Sequence, residues 1–450
     1  MLQQGEAKID YGSFPDKGQP SSSTAPPRHA TWVTASQLII ADVIGIGIMG
    51  MAEAFAELGW VLGITFCVLM LPLNLYCGMI TWEAQVDLFP STYTMADIAR
   101  QALGPGGYWF TGLVVYSFIF FVLGEYVLSL GLCLEQFFYT VHVERHLWTL
   151  AGAAALWPFT QIRTLNGTRW LLWINTGTIV AAVAMSLGHL LAGGEVHGTR
   201  GPTALIASEL SWRSLTSGLS KFAFAYVGVI MYPEITSEMV EPRDFPKALY
   251  MGAPFQLISF LSVGCIGYAY LGAGADGLLI NVIPPGPLSS LTALCLFIHV
   301  VITYLIKGTV LARACHRLLS PSTTNDYGLH GSLVWLGITT GVLVACSGVA
   351  LAVPFFDDLA SLLGSLQTPI GGFCLPVLFM CSGYRLLGKD IGEAGLIATK
   401  PTSIWLYLQY SLLGAIFLFG VAFCVLGTAA TSMSIVERWQ NMTAGEHVYV

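Results

Sequence analysis

Charge is what this chain has least of. Only 10% of its 450 residues are Asp, Glu, Lys or Arg, where a soluble globular chain carries about a quarter. That excludes a soluble enzyme, a nucleic-acid binder and a disordered scaffold. The net charge of −7 carries little weight, because in a membrane protein the position of each charge matters more than the total. Chemical motifs are missing as well. The apolar runs hold no HExxH, no GxSxG and no paired-Asp motif, so an intramembrane enzyme has nothing to work with. The ten cysteines form no CxxC and no His-Cys cluster. They lie in or at the ends of apolar runs and read as small packing residues rather than a disulfide or zinc framework. No cofactor and no metal are expected. A channel would want a repeated pore loop or a ring of charges, and neither is visible.

What the chain has is apolar length. Runs long enough to cross a hydrocarbon core roughly 30 Å thick recur at 33–55, 60–82, 108–137, 147–161, 170–191, 215–239, 249–271, 288–311, 333–355, 359–382 and 404–426. The reading is an all-α integral membrane protein of eleven spans. The fourth run is short and ends in WPFTQIR; the third is long enough to tilt or to extend beyond the bilayer. Residues 1–30, rich in Pro, Ser, Gly and Gln, are expected to form a flexible cytosolic tail with no signal peptide. Residues 31–427 are expected to be the transmembrane domain and 428–450 a short non-cytosolic tail.

Orientation follows from the basic residues. With the N-terminus cytosolic, inner segments hold thirteen Lys and Arg, and outer ones four, namely Arg145, Arg200, Arg213 and Arg438. Lys221 and Lys307 lie within spans. The split places the N-terminus inside, and an odd span count places the C-terminus outside. The sequon Asn441-Met442-Thr443 would then be open to glycosylation and Asn166-Gly167-Thr168 would not.

Two spans depart from ordinary membrane helices. The first carries Gly45, Gly47 and Gly50 in VIGIGIMGMA. A dinucleotide fingerprint needs a βαβ unit around its GxGxxG, and none is present. Such glycines serve either close helix packing or an unwound stretch that offers backbone groups to a ligand. The sixth span, SGLSKFAFAYVGVIMYPEI, has Gly228 and then Pro233; Pro removes an internal hydrogen bond, so a break near Ala225 to Gly228 is inexpensive. Spans one and six are five apart. That is the separation of corresponding positions in two five-span inverted repeats, and paired interruptions there point to a transporter's binding site.

VIGIGIMGMAEAFAELGW resembles the first-span signature of the amino acid/auxin permease family, a Gly-x-Gly pair followed by apolar residues and Leu-Gly-Trp. FAFAYVGVIMYPEITSEMVEPRDFPKAL and PSTYTMADIARQALG are also similar to that family. The resemblance runs from Ala30 to Leu426. It implies an amino acid transporter with the 5+5 inverted-repeat fold, broken helices 1 and 6, and an eleventh span. One position departs: Glu53 stands where many relatives carry an apolar, aromatic or proline residue, which bears on substrate range and coupling.

The chemistry of the site follows from the breaks. A zwitterion near the bilayer midplane needs partners for both charges. The outer half-helix starting near Ile48 turns its N-H groups and positive dipole end to the gap, a seat for the substrate carboxylate. The carbonyls of Val43 and Ile44, and those ending at Phe222 to Phe224, are acceptors for the ammonium. Phe224 and Tyr226 are expected to close the side-chain pocket. Ionisable residues within spans are functional candidates: Glu53 and Glu125 as proton carriers, and Asp42 with Lys307 as either a structural ion pair or part of the path. His299 reads as a hydrogen-bonded structural residue. Thr303 would supply a hydroxyl if sodium were the coupling ion, but an ammonium so close argues against a second cation. The expected function is secondary active transport of neutral amino acids by alternating access, proton-coupled, in the plasma membrane or a vacuolar or endosomal one. The expected partners are the amino acid, the co-transported proton or sodium, and lipid, with no nucleic acid. The alternatives are a sodium-coupled symporter and an amino-acid-sensing receptor on the same fold, which a long soluble tail would favour.

Overall fold

The structure is a computed structural model, and it describes residues 28–163, 169–198, 200–275, 277–324, 326–353, 356–388 and 403–443. The expectation for most of residues 1–30, and the Asn166 sequon, lie outside these. Among the described residues thirteen α-helices follow one another: α1 Trp32–Val43, α2 Met51–Glu83, α3 Met95–Phe137, α4 Arg145–Leu156, α5 Arg169–Leu191, α6 Trp212–Tyr226, α7 Tyr232–Glu238, α8 Phe245–Leu271, α9 Pro287–Leu319, α10 Leu329–Ala352, α11 Phe356–Leu362, α12 Leu375–Leu387 and α13 Ser403–Thr443. Among the described residues there are no strands, only an isolated bridge between Ala30 and Met239.

The eleven expected runs are helical over most of their described residues, yet nine segments among the described residues are long and apolar enough to cross a membrane. Two features account for the difference. Span one is split, its inner half being the 12-residue α1 and its outer half running into span two inside α2. The join is Gly59 (φ 80, ψ 176), a conformation that needs no Cβ. Span four is the other: α4 has 12 residues and gives way at Trp157-Pro158 to a 3-10 turn, Phe159–Gln161, because a proline cannot continue the ladder. This short helix is held by close packing. A methyl on Gly152 would lie 2.9 Å from Leu130 Cβ and 3.1 Å from the Gly131 nitrogen, so α3 and α4 touch through their backbones.

The Gly59 corner is tied to the segment before α6. Trp60 and Val61 N-H donate to the Ala204 and Leu205 carbonyls (3.1 and 2.9 Å), and Ala207 N-H donates to Leu58 (3.3 Å). At the opposite end of span one, His29 and Ala30 N-H both donate to the Glu238 carbonyl at 3.0 Å. The start of span one therefore meets the end of span six, and its end meets the start of span six; the two run antiparallel, as an inverted repeat requires. Helix α13 continues to Thr443, beyond the expected end of the last span, so Asn441 lies in its final turn.

Candidate substrate site

Helix α1 ends at Val43, the chain passes through extended Gly45 (φ −101, ψ −151), and a 3-10 turn, Ile46–Gly50, leads into α2. Helix α6 ends at Tyr226, capped by Val227 in extended conformation, and a 3-10 turn, Val229–Met231, leads into α7 with Pro233 in its first turn. Gly228 admits that turn because its hydrogen faces the Tyr232 ring: an added Cβ would lie 2.6 Å from the hydroxyl oxygen. The two breaks are side by side. A methyl on Gly47 would meet Ala225 Cα at 3.1 Å and Phe224 Cδ1 at 3.4 Å. Val43, Ile44, Ile48, Phe222, Phe224 and Tyr226 are all buried, so the backbone dipoles at both breaks act in a low-dielectric interior, where they count most.

The three aromatics expected around the pocket part company. Phe224 stays at the break, against Gly47. Phe222 packs edge-on to Phe55 of α2 (5.8 Å between ring centroids). Tyr226 donates its hydroxyl to the Cys67 carbonyl at 2.9 Å and meets Phe260 of α8 at 4.6 Å. The difference has a helical reason: residues four apart share a face, so 222 and 226 look toward α2 and α8 while 224 looks away.

On the α1 side of the break, Lys307 Nζ lies 2.7 Å from Asp42 Oδ1, with both residues nearly buried. Thr303, one turn from Lys307, donates to the His299 carbonyl (2.9 Å) or to Asn175 Oδ1 (3.1 Å). His299 Nδ1 lies 3.0 Å from the Asn175 carbonyl oxygen, and a methyl on Gly45 would come within 4.0 Å of His299 Nε2. The Thr303 hydroxyl thus already serves a network joining α5 to α9 beside the break.

The residues beside Glu53 in the chain are apolar, yet in the structure its carboxylate meets a cation. Its Oε1 lies 2.6 Å from Lys221 Nζ, and the same ammonium reaches Glu57 Oε1 at 2.9 Å. Lys221 and Glu57 form a pairing the sequence reading missed; the presence of a lysine inside span six was the available signal. Glu125 differs. It is fully buried in α3, and among the described residues neither of its oxygens accepts a hydrogen bond.

Paired breaks, a self-compensated ion pair and a small-residue contact between half-helices are what a membrane transporter of this architecture needs. The sequence model for transmembrane amino acid transporter proteins matches residues 28–426. The chain belongs to that family. The transmembrane amino acid transporter family is one of transporters and permeases, not of enzymes. Amino acid transporter AVT1D of Arabidopsis thaliana is 24% identical over 358 residues, 77% of this chain and 62% of its own length; the chain thus spans less than two thirds of that relative. The N amino acid transport system protein of Neurospora crassa is 22% identical over 423 residues, 91% of this chain and 86% of its own. MhsT, solved in complex with L-phenylalanine, superposes with a TM-score of 0.55 at 14% identity, covering 91% of this chain and 99% of MhsT. At that identity the likeness establishes the fold: this family member has the 5+5 inverted-repeat architecture with helices 1 and 6 broken.

Proposed function

We propose that this chain is a secondary active transporter that carries neutral amino acids across a membrane by alternating access, with a proton as the coupling ion. The observation that carries the reading is the contact of Gly47 with Ala225 and Phe224, which sets the two broken helices together around one polar backbone seat. The N-terminus of the 3-10 turn after Gly45 is the seat for the carboxylate, and the carbonyls at Val43, Ile44 and the end of α6 take the ammonium. A neutral side chain fits because Asp42 and Lys307 cancel each other, leaving no net charge beside the break. MhsT, which binds L-phenylalanine on the same fold, supports the same choice.

For coupling, the pairing of Glu53 with Lys221 shifts the role of proton carrier to Glu125. An ionised carboxylate with no donor is costly in an apolar interior, and a proton is the partner that removes the cost. The charged group that acts on it is Lys307, which is itself paired with Asp42. The Thr303 hydroxyl is already engaged by His299 and Asn175, and the Lys307 ammonium one helical turn away would repel a second cation, which argues against sodium. The N-terminus is cytosolic in this reading, in a plasma, vacuolar or endosomal membrane. The test is uptake of a panel of amino acids into proteoliposomes under imposed proton or sodium gradients. Acid outside should stimulate accumulation of neutral amino acids, and Glu125→Gln should keep exchange while losing accumulation. Accumulation driven by sodium and indifferent to pH would overturn the coupling.

A further inference from the structure

Helix α1 carries Ser36 one turn before Ile40, and α8 carries Gly252 one turn before Gln256. Residues four apart share a helical face, so each helix presents one polar side chain where the two pack. Both Ser36 and Gln256 are 0% exposed. Ser36 comes seven residues before Val43, about 10 Å along the helix axis from the break, so neither side chain belongs to the substrate seat described above.

Their polar atoms lack partners. Ser36 Oγ and both amide atoms of Gln256, Oε1 and Nε2, make no hydrogen bond among the described residues. A buried amide has two N-H donors and a carbonyl acceptor to satisfy, and a hydroxyl has one donor and two lone pairs. The two side chains do not bond each other; they converge over Gly252. A methyl on Gly252 would stand 3.4 Å from Ile40 Cγ1, 3.7 Å from Gln256 Nε2 and 3.8 Å from Ser36 Oγ, all ordinary contact distances. The packing of α1 on α8 thus leaves room for one methyl-sized group between two unpartnered polar side chains. A water has that size, and it needs two to four polar partners that include donors and acceptors. A bare cation fits less well, since it would be repelled by the amide N-H groups and would find only two side-chain oxygens.

We propose that Ser36 and Gln256 hold one ordered water over Gly252, and that this water is the polar contact through which the inner half of span one rests on α8. A water bridge is remade with bulk water when two helices part, whereas an apolar contact in its place would expose its surface at every parting. This second half of the inference rests on the alternating-access reading above: the water lets α1 separate from α8 at little cost.

Thermal unfolding of the purified full-length protein in nanodiscs tests the water by the sign of one methyl. Gly252→Ala displaces the water and strands three buried polar atoms, so the unfolding temperature should fall by roughly 2–4 °C. In the Ser36→Ala/Gln256→Met background nothing is stranded and the same methyl packs against Ile40, so the temperature should rise. A rise of equal size in both backgrounds overturns the water. Stabilisation by sodium over choline that Ser36→Ala/Gln256→Met abolishes also overturns it, since the ligand would then be a cation. A cryo-EM map of the unmodified protein is the second measurement: density over Gly252 within hydrogen-bonding distance of Ser36 and Gln256 supports the water, and an amide turned directly onto Ser36 overturns it. For the motion, Ser36→Ala/Gln256→Met should leave the substrate KM unchanged and slow exchange in proteoliposomes. Undiminished exchange overturns the water's part in the motion. If neither the unmodified protein nor the variant exchanges any amino acid, the transport reading falls and the thermal result still decides the water.

Discussion

Gly47 carries the closest approach between the two breaks, and a single methyl is enough to test it. Gly47→Ala would bring Cβ to 3.1 Å from Ala225 Cα, a backbone atom that yields only if the two half-helices separate. Substrate affinity should fall about tenfold, or ~1.4 kcal/mol, while the protein still inserts. Uptake kinetics together with membrane fractionation separate the two effects. Asp42 and Lys307 make a second test at this scale. Removing one member of a buried pair leaves an uncompensated charge, worth about 3–5 kcal/mol. Lys307→Met should therefore lower the thermal unfolding temperature of the purified protein sharply, and Lys307→Met with Asp42→Asn should recover most of it. If the double variant is no more stable than the single, the pair is not what holds α1 to α9.

The breaks themselves were legible in the chain, because Gly45, Gly47, Gly228 and Pro233 act on their own backbone and need no distant partner. Partnerships were not legible. Lys221 and Glu57 are 164 positions apart, and nothing local tells which carboxylate an intramembrane lysine will find; Glu53 looked apolar only because its neighbours in the chain are. The shared face of Phe222 and Tyr226 was legible too, since a spacing of four on a helix gives it before any contact is known.

At the scale of elements, the corner at Gly59 joins the outer half of span one to span two without a loop. Its φ of 80 is a region where a side chain costs about 1–3 kcal/mol, and an added Cβ would also lie 2.8 Å from the Ala207 nitrogen and Ile206 Cα. Gly104 has the same φ of 80 within α3 but open space around it. Gly59→Ala should accordingly destabilise the purified protein more than Gly104→Ala, and the difference measures how tightly residues 204–207 strap the corner. Equal losses in thermal unfolding would mean that the strap bears no load. This continuity is also why the span count could not be read from helix length: span boundaries set by one glycine leave no polar loop in the hydropathy. The short fourth span was visible as a short run, but its anchoring through Gly131 and Gly152 depends on which helix lies opposite.

For the whole molecule, thirteen basic residues against four predict that a tag placed before Ala30 is shielded in intact cells while one placed after Thr443 is accessible from the non-cytosolic side. Labelling of both tags from the same side would mean an even number of crossings, and α4, with its 12 residues, is the helix whose crossing would be withdrawn. The antiparallel tie between the start of span one and the end of span six belongs to this scale too, since it only appears once the two repeats are assembled.

Asp42 and Lys307 have one more consequence, an electrical one. A lone charge displaced through the bilayer exchanges about 2.3 kcal/mol with each 100 mV of membrane potential. A couple 2.7 Å apart that sums to zero exchanges next to none, however far α1 and α9 carry it. In the transport cycle proposed above this pair therefore draws nothing on the membrane's voltage, and any current recorded during uptake reports charges other than this pair.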